Sequence, residues 1–316
     1  MVKRVPQVKD ADRTEWRDVT ASGNMRGALL MTLAMTAFAV NDTFVKLMGT
    51  HLPFFQILFL RSLGTVAFLG LVAYSAGHLR YRYGRSDMAL VGLRSLAEIG
   101  AAAAFINALF HLPLANLTAI IQALPLTVTL AAALFLREPV GWRRFVAIGI
   151  GFVGVLLIVR PGTEGFSIYS VYALAAVVCV TVRDLAARRL SAAVPSVSVA
   201  FLTSCAVLAF AAVGAAGTDW APMEARDWLW MAGAVGAIII GYLASVMSMR
   251  NGEIGVVTQF RYSALLVALV LGYFVFGEWP DRLTIAGAAL IVATGLFTLW
   301  RERQSAAPGP GRRGRA

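Results

Sequence analysis

Along the chain, long apolar runs and short polar connections alternate ten times. The runs fall near residues 27–48, 54–76, 88–110, 115–136, 143–160, 168–187, 195–216, 228–250, 254–276 and 282–300. Each holds roughly 18 to 23 residues, which matches a hydrocarbon core about 30 Å thick at about 1.5 Å of helical rise per residue. A membrane barrel would show shorter segments alternating at every second residue, and lipid offers backbone groups no partner but each other. The pattern therefore predicts an all-α membrane protein of ten transmembrane helices.

One passage occurs twice. From Asn107 to Pro161 the chain runs through an apolar helix, Pro125, Leu136-Arg137-Glu138-Pro139 and a Gly-rich apolar helix. A looser copy runs from Arg250 to Arg301 through Phe276-Gly277-Glu278-Trp279-Pro280. Each copy closes a block of five apolar segments, so the chain divides into repeats at 27–160 and 168–301, with tails 1–26 and 302–316 left disordered for want of apolar surface. An odd number of spans per repeat makes the second enter the bilayer upside down relative to the first. Inverted five-helix repeats are a plan of secondary transporters, with the solute site near the midplane between them.

Composition narrows the classes. With 59% hydrophobic and only 14% charged residues, and a mean hydropathy of +0.72, the chain cannot present an ordinary soluble surface. The net charge of +11 invites a nucleic-acid partner, but the basic residues follow the bilayer instead. The N-terminal tail, Arg80/Arg82/Arg85, Arg137/Arg143/Arg144, Arg188/Arg189, Arg250 and the C-terminal tail fall on one side. The opposite connections carry His51, His111, Arg160, Arg226 and Arg282 singly, beside Glu164, Asp219, Glu224, Glu278 and Asp281. Both termini are expected in the cytoplasm, no nucleic-acid role follows, and the first helix is expected to stay as a signal anchor. Six of the seven Trp residues (142, 220, 228, 230, 279 and 300) fall at segment ends, as headgroup-level rings should.

The residues also resemble a family. Asn107-Ala108-Leu109-Phe110, Leu112-Pro113-Leu114-Ala115, Ala123-Leu124-Pro125-Leu126, Leu134-Phe135-Leu136-Arg137-Glu138 and Gly151-Phe152-Val153-Gly154-Val155 are similar to the signature of EamA-type members of the drug/metabolite transporter superfamily. Phe274-Val275-Phe276-Gly277-Glu278 and Ile285-Ala286-Gly287-Ala288-Ala289-Leu290-Ile291 resemble its second copy. The second copy departs in having Leu265 where the first has Pro125, and Arg261 inside its ninth helix. The resemblance implies a secondary carrier in a bacterial-type inner plasma membrane. Its implied substrates are amino acids and their analogues, riboflavin, S-adenosylmethionine or drugs, in either direction, with no cofactor.

Ionisable groups at membrane depth are costly by roughly 2.5 to 3.5 kcal/mol, so each calls for an explanation. Asn41, Asp42 and Lys46 lie in the outer half of the first helix, Arg61 in the second, Arg94 and Glu98 in the third, Arg183 and Asp184 at the end of the sixth, and Arg261 in the ninth. One reading has Asp42 or Glu98 exchange a proton while Arg61, Arg94 and Arg261 attract an anionic group. The other has Asp42 pair with Lys46 or Arg61, and Glu98 with Arg94, as fixed ion pairs that orient helices. Gln122, Pro125, Gln259, Tyr262 and Ser263 are candidate cavity residues, with Pro125 freeing a backbone carbonyl and Tyr262 either stacking on solute or packing.

Small residues mark helix faces that touch. Gly149, Gly151 and Gly154 with Ala286, Gly287, Ala289, Ala293 and Gly295 predict a tight scaffold or a homodimer contact. Gly100, Gly233, Gly236 and Gly241 are open to either packing or ligand room. An enzyme would need a nucleophile, acid/base set or metal cluster on one face. His51, His78 and His111 all lie at connections, and no Walker-type phosphate loop is present. Cys179 and Cys205, both near mid-helix, read as apolar filler. The expected partners are a small-molecule substrate and the lipid bilayer.

Overall fold

The computed structural model describes residues 10–77, 83–137, 140–163, 166–191, 193–251 and 254–306. Residues 1–9 and 307–316 of the tails, His78, Arg80, Arg82, Glu164 and the Glu138-Pro139 part of the repeated motif lie outside them. The helices are α1 (Asp10–Met48), α2 (Phe54–Ser75), α3 (Arg85–His111), α4 (Leu114–Ile121), α5 (Leu124–Phe135), α6 (Trp142–Val159) and α7 (Ile168–Arg188). They continue as α8 (Ser196–Ala216), α9 (Ala225–Asn251), α10 (Ile254–Val257), a 3-10 turn (Thr258–Tyr262), α11 (Ser263–Phe276) and α12 (Arg282–Ala306). Ten of these stretches are long and apolar enough to span a bilayer, with α4 and α5 together making the fourth and the 3-10 turn with α11 making the ninth.

Three of the helices start behind a proline. Pro53, Pro113 and Pro195 sit at the N-terminal boundaries of α2, α4 and α8, where a missing N–H removes nothing because the first helical donors have no intrahelical acceptor. At the far ends, Gly277 and Arg137 take left-handed backbone conformations with φ of 66° and 54°. They close α11 and α5 one residue before the two motif glutamates, so the duplicated motif is a helix stop in both halves.

Two boundaries differ from the sequence reading. α1 starts at Asp10, inside the stretch expected to be disordered, and α12 runs on to Ala306. Hydropathy locates where the apolar span begins, at Gly23 in the structure, but a helix can continue into polar sequence. Residues 10–22 contain neither Gly nor Pro to stop it.

The packing is unchanged when the halves are exchanged. The most extensive contacts pair α1 with α9, α3 with α7, α6 with α12 and α2 with α8. Numbered by span these are 1 with 8, 3 with 6, 5 with 10 and 2 with 7, and swapping span n for span n + 5 returns the same set. The buried core follows the same seams, drawing Met48, Ile57, Leu58, Leu109, Leu117 and Ile120 against Val207, Ala234, Ala268 and Ile291.

The glycine reading divides here. A Cβ on Gly154 would lie 2.7 Å from the Gly287 carbonyl oxygen, so α6 and α12 meet backbone to backbone within one chain. Gly233 and Gly241 of α9 are filled by the Phe44 and Phe38 rings of α1, and Gly100 by the Cys179 sulfur. These three are packing positions, whereas Gly236 has open space at its Cβ direction.

Candidate functional site

Each half breaks a helix at the same place. α4 ends at Ile121 and α5 starts at Leu124, with Gln122 and Ala123 as the turn between them and Pro125 in the first turn of α5. In the second half the chain passes from α10 through a 3-10 turn to α11, and the turn ends at Tyr262. With Glu138 set against Glu278, Gln122 corresponds to Tyr262, so the two breaks are equivalent although only one has a proline. They touch: Gln122 Nε2 donates to the Arg261 carbonyl oxygen at 3.0 Å. The Arg261 carbonyl, at the end of the 3-10 turn, thereby gains a donor from the other half.

Around these breaks runs a chain of charges of alternating sign. Asp42 of α1 accepts from Asn41 Nδ2 at 2.9 Å and interacts electrostatically with Arg61 of α2. Arg61 interacts in turn with Glu98 of α3. Glu98 accepts from Arg183 Nη1 of α7 at 3.2 and 3.3 Å, and Arg183 Nε donates to Asp184 at 3.0 Å. Asp184 then faces Arg261 of the 3-10 turn. All but Arg261 are half-buried, and Arg261 is exposed into a cavity. That cavity, of about 360 Å³, is also lined by Pro125, Thr129, Arg144, Asp184, Arg188 and Thr258.

Two pairings expected at helical spacing are replaced by long-range ones. Glu98 takes the guanidinium of Arg183 rather than that of Arg94, which instead donates to the Arg183 carbonyl oxygen at 3.4 Å. Lys46 turns away from Asp42: its Nζ lies 2.6 Å from both Glu278 Oε1 and the Leu112 carbonyl oxygen, above the Phe276 ring. Glu278 Oε2 accepts the Leu114 N–H at 2.8 Å and so caps the first turn of α4. Tyr262 is buried against α12, its hydroxyl lying over Gly295, which makes it a packing residue rather than a stacking platform. Gln259 is half-buried in the 3-10 turn, and Ser263 bonds back to the Phe260 carbonyl oxygen at 2.6 Å.

The opposite mouth of the seam carries further cross-half pairs. His51 Nε2 lies 3.0 Å from Asp227 of α9, Arg160 pairs with Asp281, and Gln56 exchanges two hydrogen bonds with the Ala221 backbone. The Arg160 guanidinium beside Asp281 is the main cause holding that carboxyl down to about 2. Nearby His111 stacks on Tyr169 at 3.6 Å.

The profile of the EamA-like transporter family matches residues 25–160 and again 167–300, so the repeat seen in sequence and in packing is one family domain used twice. The chain belongs to this family. As an EamA-like transporter it is 25% identical over 281 residues to the S-adenosylmethionine uptake transporter of Rickettsia conorii, covering 86% of this chain and 92% of that protein. It is 29% identical over 270 residues to the pseudopaline exporter of Pseudomonas aeruginosa, covering 84% and 93%. A solved crystal structure at 20% identity shares the fold, with a TM-score of 0.59 over 91% of this chain and 99% of that one.

For this EamA-like transporter, Arg183, Asp184 and Glu278 join the site without having been assigned a pathway role from the sequence. Arg183 reads from sequence as an interface charge at a helix end, and Glu278 as a loop acid. The available signal was their depth: Arg183 lies five residues inside the end of α7, within reach of Glu98 for a long side chain. Glu278 stands in the duplicated motif at the end of α11.

Proposed function

We propose that the protein is a secondary transporter that moves a small polar metabolite, an amino acid or related compound, across the plasma membrane by alternating access coupled to protons. The observation that carries this reading is the alternating chain Asp42, Arg61, Glu98, Arg183, Asp184, Arg261, which spans both halves and ends in the cavity beside the two helix breaks. A solute with both a carboxylate and an ammonium group can replace neighbours within such a chain without leaving a buried charge unpaired. Protonation of Asp42 or Glu98 then releases Arg61 or Arg183 for the solute, which links solute movement to a proton. Among the relatives, an S-adenosylmethionine carrier handles an amino-acid derivative and favours cofactor uptake as the second reading, whereas the exporter leaves direction open.

In this reading the repeats at 27–160 and 168–301 lie in opposite orientations in a bacterial inner membrane, with both termini in the cytoplasm. The exchange-invariant packing and the side on which arginines accumulate support it. Proteoliposome uptake of labelled amino acids and derivatives tests the mechanism. Asp42→Asn and Glu98→Gln are each expected to lower the rate at least about tenfold and to flatten its pH dependence. Full uptake with an unchanged pH profile in both would remove these carboxylates from the mechanism.

A further inference from the structure

A second opening in the bundle has a different chemistry. Between α3, α5 and α7 lies a groove of about 500 Å³, lined by Leu90, Leu93, Ala131, Phe135, Val178 and Leu185 among others. Among the described residues, its polar lining consists of Thr127, Thr181 and Arg189. The two hydroxyls bond to each other at 2.9 Å and to the carbonyl oxygens of Leu124 and Val177. Below its Arg189 rim the described lining is apolar apart from this hydroxyl pair, so the groove is unsuited to a small polar metabolite.

Its dimensions point elsewhere. From Leu136 down to Thr127 the α5 wall descends nine positions, about 14 Å, and from Arg189 to Val178 the α7 wall descends eleven, about 16 Å. Half of a hydrocarbon core about 30 Å thick is the depth of one leaflet. At the rim Arg189 gives one guanidinium hydrogen to the Phe135 carbonyl oxygen at 3.0 Å and is exposed with the rest of its donors. Arg85, Arg137 and Arg188, also exposed, stand on the same three helix ends. Asp87, the acid in the first turn of α3, is engaged by the Ser191 N–H at 3.1 Å. By contrast, the apolar groove between α4, α11 and α12, of about 420 Å³, has no basic residue in its lining.

We infer that the α3–α5–α7 groove is a binding site for an anionic phospholipid, one acyl chain lying along the groove and the headgroup phosphate held by Arg189 with Arg137 at the rim. The site is separate from the solute pathway, and its test needs no substrate. Purified protein is equilibrated with vesicles containing equal phosphatidylglycerol and phosphatidylcholine, re-extracted, and its retained lipid counted by native mass spectrometry. Wild type is expected to retain phosphatidylglycerol preferentially. Arg189→Gln lowers that preference about fivefold and Arg137→Gln with Arg189→Gln roughly 25-fold, while Ala131→Trp reduces retention of both lipids. Arg137→Gln alone serves if Arg189→Gln loses native elution. Equal retention of the two lipids by wild type, retention indifferent to the arginine and groove variants, or displacement by millimolar inorganic phosphate alone would each overturn the site.

Discussion

At one end of the bundle Lys46, His51 and Arg160 of the first half each reach a carboxylate of the second, Glu278, Asp227 and Asp281. At the other end Arg144, Arg188 and Arg261 surround a cavity with Asp184 among the same lining residues. Both ends are built from the same repeat, so fold alone does not explain why one is cross-linked and the other spacious. The difference lies in where opposite charges meet across the seam. It teaches that one end is joined by ion pairs between flexible side chains, whereas α6 and α12 are joined backbone to backbone.

The largest disturbance of this comparison should come from the sealed end. Glu278→Gln leaves Lys46 buried without its counter-charge and weakens the cap on α4. Removing one member of a buried pair costs about 3 kcal/mol or more, read as a lower unfolding temperature in detergent. The double variant Lys46→Met with Glu278→Gln should regain most of that stability because no buried charge is left over. Its uptake should stay at least about tenfold low, since the end no longer closes. Full transport by the double variant would show that this pair is a fold determinant and not a gate.

A smaller effect belongs to the open end. Arg261 is exposed into the cavity, so Arg261→Gln should change stability by less than about 1 kcal/mol. Loss of a charged contact to an anionic group should raise KM about tenfold, while the maximal rate changes less. An unchanged KM would place solute recognition elsewhere on the charge chain.

The smallest effect is expected at Asp281. Its carboxyl is lowered from 3.8 to about 2, chiefly by the Arg160 guanidinium. A depressed pKa stabilises the folded form above the unfolded value, and the contribution is lost as pH falls through about 2. The pair is therefore intact across the physiological range. Asp281 is more than half exposed, so Asp281→Asn should cost well under 1 kcal/mol and leave the pH profile of uptake between about 5 and 8 unmoved.

Span number and position were legible in the sequence because hydrocarbon imposes length and apolarity on every segment. So was the break in the fourth span, through Pro125. The equivalent 3-10 turn at Thr258–Tyr262 was not, since that stretch contains no Gly or Pro to signal it. The candidate charges were also found, and Arg61 as one of the two partners weighed for Asp42, but the partners of Lys46 and Glu98 were not. Spacing along one helix brings Asp42 near Lys46 and Arg94 near Glu98, and says nothing about Glu278, 232 positions from Lys46, or Arg183, 85 positions from Glu98. Long flexible side chains choose the partner that their helix neighbours present, and that choice is tertiary. For the same reason Tyr262, plausible as an aromatic platform, turned out to fill the space above a glycine.

The meeting of Gly154 with the Gly287 backbone has a mechanical corollary. Ile158 and Ile291 pack beside the two glycines, so α6 and α12 meet there at backbone distance with no room for a further atom. In the proposed alternating access, α2 and α8, which share no extensive contact with α6 or α12, are the helices this contact restrains least. A single added methyl group at either glycine would press on the facing carbonyl oxygen and push the two helices apart.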